Sequence, residues 1–410
     1  MTTETRSPLV PKLRFPEFQD APEWTEGRCR DIAKVLPGYG FPENFQGNTN
    51  GQYPFYKVSD ISQTIEKGQR YISGANNHID ADVLDAIRGK PVPAGTIIFA
   101  KIGEAIRSNR RVVTTKPAVV DNNTAGVKAK KGMSSDEFLF YLWSNVSLID
   151  HAGGVVPAVS KSALENVPLC YPRDPEEQER VADCLGSLDD LIAAKGRKLE
   201  ALRQHKQGLM QQLFPQPGET VPRLRFPEFQ DAPQWEKPSL GEVCEMKAGD
   251  FVGASEIFDV QKDGFFPCYG GNGLRGFVKT ATHDGLYVLV GRQGALCGNV
   301  NLFAGCFHAT EHALVATPFS GIDTHWLYYA LDMLKLNRFA TGQAQPGLSV
   351  GVLNAVPVAV PANHDEQRRI ADCLAALDDY IAAQANRLET IKCHKQGLLQ
   401  QLFPSLQEES

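Results

Sequence analysis

The 410-residue chain has no apolar run approaching the ~20 residues that a transmembrane helix requires, which removes a membrane span from the reading. Its first ten residues, MTTETRSPLV, lack the apolar core of a secretory signal. The nine cysteines are odd in number and scattered without paired spacing, which suits free thiols in a reducing cytoplasm better than a disulfide framework. No acidic-Pro-Pro-aromatic tetrapeptide is present, nor a carboxylate–Lys cluster of nuclease type, which argues against a methyltransferase or nuclease centre in this chain. Positive charge is also in short supply. With 42 Lys/Arg against 48 Asp/Glu the net charge is −6, and a non-specific nucleic-acid binder is disfavoured on that count alone.

What the chain does have is repetition. Val10 to Trp24 reads VPKLRFPEFQDAPEW, and Val221 to Trp235 reads VPRLRFPEFQDAPQW, differing only at Lys12/Arg223 and Glu23/Gln234. Glu177 to Pro215 returns as Glu366 to Pro404, with 25 of 39 positions identical. Between these kept blocks the halves differ widely. From Trp24 to Arg173 there are 18 Lys/Arg against 14 Asp/Glu, and from Trp235 to Pro361 only 8 against 11. A frame kept twice around two different fillings implies two recognition surfaces held at a fixed separation.

The C-terminal repeat carries apolar residues at alternating four- and three-residue steps, the signature of a heptad helix. The first copy places Val181, Leu185, Leu188, Ile192, Leu199, Leu202, Leu209 and Leu213 on this seam. The second places Ile370, Leu374, Leu377, Ile381, Leu388, Ile391, Leu398 and Leu402 there. Both seams are interrupted at matching points, by Lys195 and Lys206 and by Gln384 and Lys395. Pro175 suits the first helical turn, and Phe214-Pro215 and Phe403-Pro404 terminate the helices. Two equal stripes in one chain bury each other most simply as a coiled coil. A two-fold relation between the halves makes that pair antiparallel, with Lys195 expected to face Gln384 and fix the register.

The expected architecture is α+β: two similar mixed α/β domains joined by two long antiparallel helices that form a coiled-coil spacer, with a pseudo-two-fold internal repeat. The expected division is an arm (1–23), a first domain (24–173), a spacer helix (174–215), a linking arm (216–234), a second domain (235–361), a second helix (362–404) and a tail (405–410). Short strands such as Thr96–Ala100 and Leu286–Val290 are predicted in the domains, with one amphipathic helix each, opening at Ser135 and near Asp323. The first domain's extra 22 or so residues, mostly between Tyr56 and Gly95, read as a surface-loop insertion.

Three letter-matches to catalytic or ligand motifs fail on context. Gly271-Asn-Gly-Leu-Arg-Gly276 precedes a strand-like run, whereas a dinucleotide-binding glycine loop must open a helix. Gly347-Leu-Ser349-Val-Gly351 lacks a charge-relay partner, and Ser160 and Ser349 are better read as caps of short turns. Cys297, Cys306, His308 and His312 have no C-x-x-C anchor for zinc. What remains is recognition chemistry, because Arg, Gln and Asn suit bidentate pairing with base edges. In the first domain the candidates are Lys57, Lys101, Arg107, Asn109, Arg110, Arg111, Asn122 and Asn123. In the second they are Asn272, Arg275, Arg292, Gln293, His308, Thr310, Glu311 and His312.

The LRFPEF…W arm, the DEQxRIAD…LDD helix and the strings at Tyr269–Phe277 and Gly291–Val300 together resemble the specificity subunit of type I restriction–modification enzymes. The resemblance covers nearly the whole chain. It implies that each domain is a target-recognition domain reading one half of a bipartite double-stranded DNA site, with the helices setting the gap. It further implies a non-catalytic subunit with no cofactor of its own. Two methyltransferase subunits would bind S-adenosylmethionine, and restriction subunits would use ATP and Mg. His205-Lys206-Gln207-Gly208-Leu209 and its copy His394–Leu398 are expected to seat the methyltransferase subunits or the opposing domain. A competing reading is a coiled-coil scaffold whose two domains bind proteins rather than DNA.

Overall fold

The computed structural model describes residues 9–271, 273–294, 296–342 and 346–404. Two helices of 39 residues each, Pro175–Leu213 and His364–Leu402, run through it. The chain divides into two compact units, and each takes half of each helix. Unit 1 holds residues 1–198 and 385–410, and unit 2 holds residues 199–384. Every seam residue named above is buried or half-buried, while the positions between them are largely exposed.

Antiparallel pairing is explicit inside each unit. In unit 1, Lys395 Nζ lies 2.5 Å from Asp189 Oδ1, and the Tyr141 hydroxyl donates to Asp189 Oδ2 at 2.7 Å. In unit 2, Lys206 Nζ lies 2.5 Å from Asp378 Oδ1, and the Tyr329 hydroxyl donates to Asp378 Oδ2 at 2.8 Å. Burial, reinforced by the neighbouring carboxylate, raises both tyrosine pKa values, so both hydroxyls stay protonated donors. The lysines that interrupt the seam are therefore its register pins. The expected Lys195–Gln384 layer is corrected by the same geometry. Both pin pairs have residue numbers summing to 584, a register that carries Lys195 towards Glu389 and Gln384 towards Glu200.

The repeated arm is a clamp on the helix start. Arg14 donates to both carboxylate oxygens of Glu177 at 2.8 Å and to the carbonyls of Ala21 and Pro22. Trp24 Nε1 donates to the same carboxylate at 2.9 Å. Arg225, Glu366 and Trp235 repeat the arrangement in unit 2, with the carbonyls of Ala232 and Pro233. A buried carboxylate survives here because a bidentate guanidinium and an indole N–H satisfy it. Leu13 N donates to Gln401 O and Leu224 N to Gln212 O, so each arm also satisfies a carbonyl in the last turn of a long helix.

Around these clamps the cores form. In unit 1, Trp24 meets Phe138 and Phe403 with ring centroids 6.3 and 5.8 Å apart. In unit 2, Trp235 meets Phe214 and Trp326 at 6.0 and 6.4 Å. Edge-on pairs of this kind add ~0.5–1.5 kcal/mol each beyond their burial. Phe403 ends the second helix and Phe214 the first, so each unit is closed by the end of the helix that begins in the other. The amphipathic helices are Asp136–Ser144, capped by Ser135, and Thr324–Met333, capped by Asp323. Ser160 caps Lys161–Asn166 as expected, whereas Ser349 makes no side-chain cap to Val350–Asn354.

Unit 2 has one six-stranded sheet, in the order Cys244–Ala248, Ala313–Pro318, His283–Gly291, Val300–Ala309, Phe266–Gly270, Gly273–Val278. Unit 1 splits the same plan. Ala33–Pro37, Thr124–Ala129, Ile97–Ala100, Arg111–Thr114 and Tyr71–Ile72 form one sheet, and Asn77–Ile79, Tyr53–Tyr56 and Val119–Val120 form another. The split falls between Thr114 and Val119, where Pro117 offers no ladder N–H, while unit 2 carries one continuous ten-residue strand there. The segment after Tyr56 is not the surface loop expected. It supplies the helices Val58–Glu66 and Ala81–Ala86, and Ile61 and Ile72 build a small core with Tyr56, Ile98, Val112 and Val120.

Candidate nucleic-acid interface

The same backbone frame closes one end of the sheet in both units. In unit 1, Asp121 N donates to Tyr56 O, Lys101 N to Asn123 O, Gly103 N to Pro157 O and Val159 N to Lys101 O, all within 2.8–2.9 Å. In unit 2, Thr310 N donates to Tyr269 O, Arg292 N to His312 O, Gly294 N to Pro346 O and Leu348 N to Arg292 O, all at 2.9 Å. This frame equates Lys101 with Arg292, Asn122 with Glu311 and Asn123 with His312. It is built by glycines that let backbones touch. A Cβ on Gly38 would sit 1.9 Å from Asp121 O, and one on Gly249 would sit 2.2 Å from Ala309 O. Gly271 and Gly291 also approach too closely for any Cβ, which draws the strings at Tyr269–Phe277 and Gly291–Val300 together. The first of these runs directly into a strand, which rules out the helix a phosphate-binding loop needs.

In unit 1 the exposed members of the site are Asn122, Asn123 and Arg107, with Lys101 half-buried beside them. Arg107 is paired with Glu104 at 2.9 Å and Arg110 with Glu66 at 3.3 Å. Lys57 donates to Gln46 at 2.6 Å and lies 5.3 Å over the ring of Phe41. Arg111 is a correction: it is 5% exposed and donates to the carbonyls of Asn109 and Val146 and to Asn109 Oδ1. Burial without a carboxylate partner lowers its pKa to about 9. Asn109 is also structural. It adopts a left-handed φ of 50° and bonds to Val146 O, so the Asn109–Arg111 pair organises the turn rather than the surface.

In unit 2, Gln293 is exposed and Arg292, Glu311 and His312 are half-buried. His312 Nδ1 lies 3.2 Å from Gln293 Oε1, and its Nε2 lies 3.2 Å from Glu311 Oε1. Arg275 is exposed on the strand Gly273–Val278, with its stem against Gly270. His308 and Thr310 are corrections, since both are buried, His308 facing Asp250 O at 3.3 Å. Burial runs unbroken from Phe307 through Thr310 where this strand enters the frame, so a polar residue type there did not mark a surface position. Asn272 lies outside the described residues. Among the described residues no cluster of three or more His, Cys, Asp or Glu is placed to hold a metal. Nor is any helix among them long and apolar enough to cross a membrane.

Two features escaped the sequence reading. The first is the loop tip Gly153–Ala158, joined to the site through Gly103 and Lys101. Its signal was the Pro157-Ala-Val-Ser160 string, which repeats in sequence as Pro346-Gly-Leu-Ser349. The second is a lysine-lined cleft of Lys34, Lys128, Lys130 and Lys131 at the opposite end of the unit 1 strands. Lys128 there is already paired with Asp136.

A family model described as the type I restriction modification DNA specificity domain matches residues 22–204 and 233–393. The EcoprrI specificity subunit of a type I restriction enzyme from Escherichia coli is 29% identical over 354 residues, covering 83% of this chain and 81% of that protein. The MjaVIII specificity subunit from Methanocaldococcus jannaschii is 22% identical over 424 residues, covering 95% and 93%. Among solved structures, the S subunit of a type I restriction–modification system from M. genitalium shares the fold with a TM-score of 0.63 at 17% identity. That match covers 97% of this chain and all of the other.

Proposed function

Because the chain belongs to the type I restriction–modification DNA specificity family, we propose that each of its two units reads one half of a bipartite double-stranded DNA target. The observation that carries this reading is the shared backbone frame with unlike side chains at matching positions. Lys101, Asn122 and Asn123 in unit 1 stand where Arg292, Glu311 and His312 stand in unit 2. An ammonium and amides present a different donor and acceptor pattern from a guanidinium, a carboxylate and an imidazole, so the two units select different base edges. Arg292 and Gln293 are the side chains suited to bidentate base contacts, and Arg107, Arg110 and Arg275 suit phosphates. The helices set the distance between the two readers. The scaffold reading, with protein-binding domains, is not favoured by this family.

The chain itself performs no chemistry in this account. Two methyltransferase subunits supply S-adenosylmethionine-dependent methylation of adenine, and restriction subunits supply ATP- and Mg-dependent cleavage, in the cytoplasm. The HKQGL repeat divides neatly between packing and partner contact. Lys206 and Lys395 are used up by Asp378 and Asp189, whereas His205, Gln207, His394 and Gln396 are exposed. Packing does not require those four to be identical in both copies, and they are assigned to the methyltransferase interface. The test is binding of the assembled complex to duplexes with matched or scrambled half-sites. A preference for matched half-sites at a fixed gap is expected, and equal binding to all sequences with the methyltransferase present would refute the reading.

A further inference from the structure

The Gly153–Ala158 tip violates ordinary turn chemistry. Turn positions favour Gly, Asn, Asp, Ser or Pro, yet this tip holds Val155 and Val156, which are 105% and 62% exposed. Unit 1 gains no packing from Val155 and little from Val156, since an exposed valine removes little apolar surface from water.

The tip is also held in place rather than left loose. Gly153 and Ala158 exchange backbone hydrogen bonds at 3.0 and 3.1 Å, and Gly154 absorbs the left-handed φ of 90° that closing the loop requires. Pro157 O accepts from Gly103 N, and Val159 N donates to Lys101 O. Beyond the tip, Val159 is buried and Ser160 caps the helix that carries buried Leu164. Two isopropyl groups are thus fixed beside the segment that carries Lys101, and Lys101 in turn is joined to Asn123.

Apolar groups next to an ammonium and amides match one base edge better than the others. In the major groove, thymine presents its O4 acceptor and its C5-methyl group side by side, with the paired adenine offering N7 and N6–H₂. We propose that the Val155–Val156 tip reads thymine in the half-site of unit 1 by seating its 5-methyl group, while Lys101 and Asn123 take the polar edges of the same or the adjacent pair. This rests on the DNA-reading function proposed above and adds to it a base identity and a contact type.

The test uses the chain with its methyltransferase partner and a duplex carrying the target mapped from its own methylation. Each thymine is replaced in turn by deoxyuridine, which removes the methyl group and keeps the base pair. At one or two positions, all in the same half-site, the wild-type complex is expected to bind about 4-fold more weakly, the equivalent of one buried methylene. The double variant Val155→Ala, Val156→Ala should bind the thymine target more weakly by a similar factor and no longer distinguish uracil at those positions. Both side chains are exposed, so folding and assembly should be unchanged. The proposal is overturned if uracil is tolerated everywhere, if the valine variant keeps the uracil penalty, or if that variant instead fails to assemble with the methyltransferase. A wild-type complex with no sequence preference at all would refute the DNA-reading function itself, an outcome distinct from these.

Discussion

Unit 1 and unit 2 hold their frames with the same atoms. Arg14, Trp24 and Glu177 in one repeat Arg225, Trp235 and Glu366 in the other, and Tyr141–Asp189–Lys395 repeats Tyr329–Asp378–Lys206. Away from these contacts the units diverge. Unit 2 builds one sheet with a ten-residue strand, whereas unit 1 breaks that strand and spends its extra residues on a helical insert. The insert even joins the frame, because Arg70 bonds to the Tyr141 hydroxyl and lies 3.6 Å from Asp189. The difference teaches where change is tolerated. Residues that meet the helices are held by buried charge and aromatic packing, whereas the frame at the sheet end is closed by backbone hydrogen bonds, so the side chains there are free to differ.

The largest expected effect is on the clamps. Glu177→Ala and Glu366→Ala each strand a guanidinium and an indole N–H, and each should cost about 3 kcal/mol in denaturant unfolding. Losses differing by more than a factor of two would break the equivalence of the frames. Next come Gly38→Ala and Gly249→Ala, which force a Cβ into a carbonyl and should cost about 1–3 kcal/mol each. Full tolerance in either would mean that the backbone closure at that reading end is not required.

Smaller effects sharpen the comparison. Asp378→Asn should lower stability by about 1 kcal/mol, as expected for a partly exposed ion pair. Asp189→Asn should cost more, because Lys395 loses its carboxylate and Arg70 loses one of its two, keeping Glu137, and equal losses would show that the insert contributes nothing to the frame. The smallest effect concerns Arg111. Arg111→Met should leave base preference unchanged in binding assays, and a shift in preference would return this buried side chain to the reading surface.

Much of the frame was legible from the residues. The heptad steps, the helix ends at Phe214-Pro215 and Phe403-Pro404, and the helix starts at Ser135 and Asp323 follow from period and capping chemistry. The role of the interruptions was not, because a lysine on a seam reads as a fault until its carboxylate is located, and Asp189 and Asp378 lie far away in sequence. The reading site was half legible. Glycine strings marked the places where backbones touch, and the polar run after Ile97–Ala100 falls at the sheet end that the shared backbone frame closes. Which of the polar residues face outward depends on turn geometry and on what covers both faces of the strand ends, neither of which is local in sequence, and this is where Arg111, His308 and Thr310 were misplaced. Val155 and Val156 were overlooked because an apolar pair in a loop has no polar signature.

The central claim is that the two units read independently on a shared frame. Mapping methylated adenines in DNA exposed to the assembled complex, for the wild type and for Lys101→Met and Arg292→Met, tests it most directly. The account predicts an asymmetric bipartite target for the wild type. Each variant should relax one half-site, a different one in each case, by about 1–3 kcal/mol of discrimination, with the gap unchanged. Relaxation of both halves by either variant, or a changed gap, would contradict it.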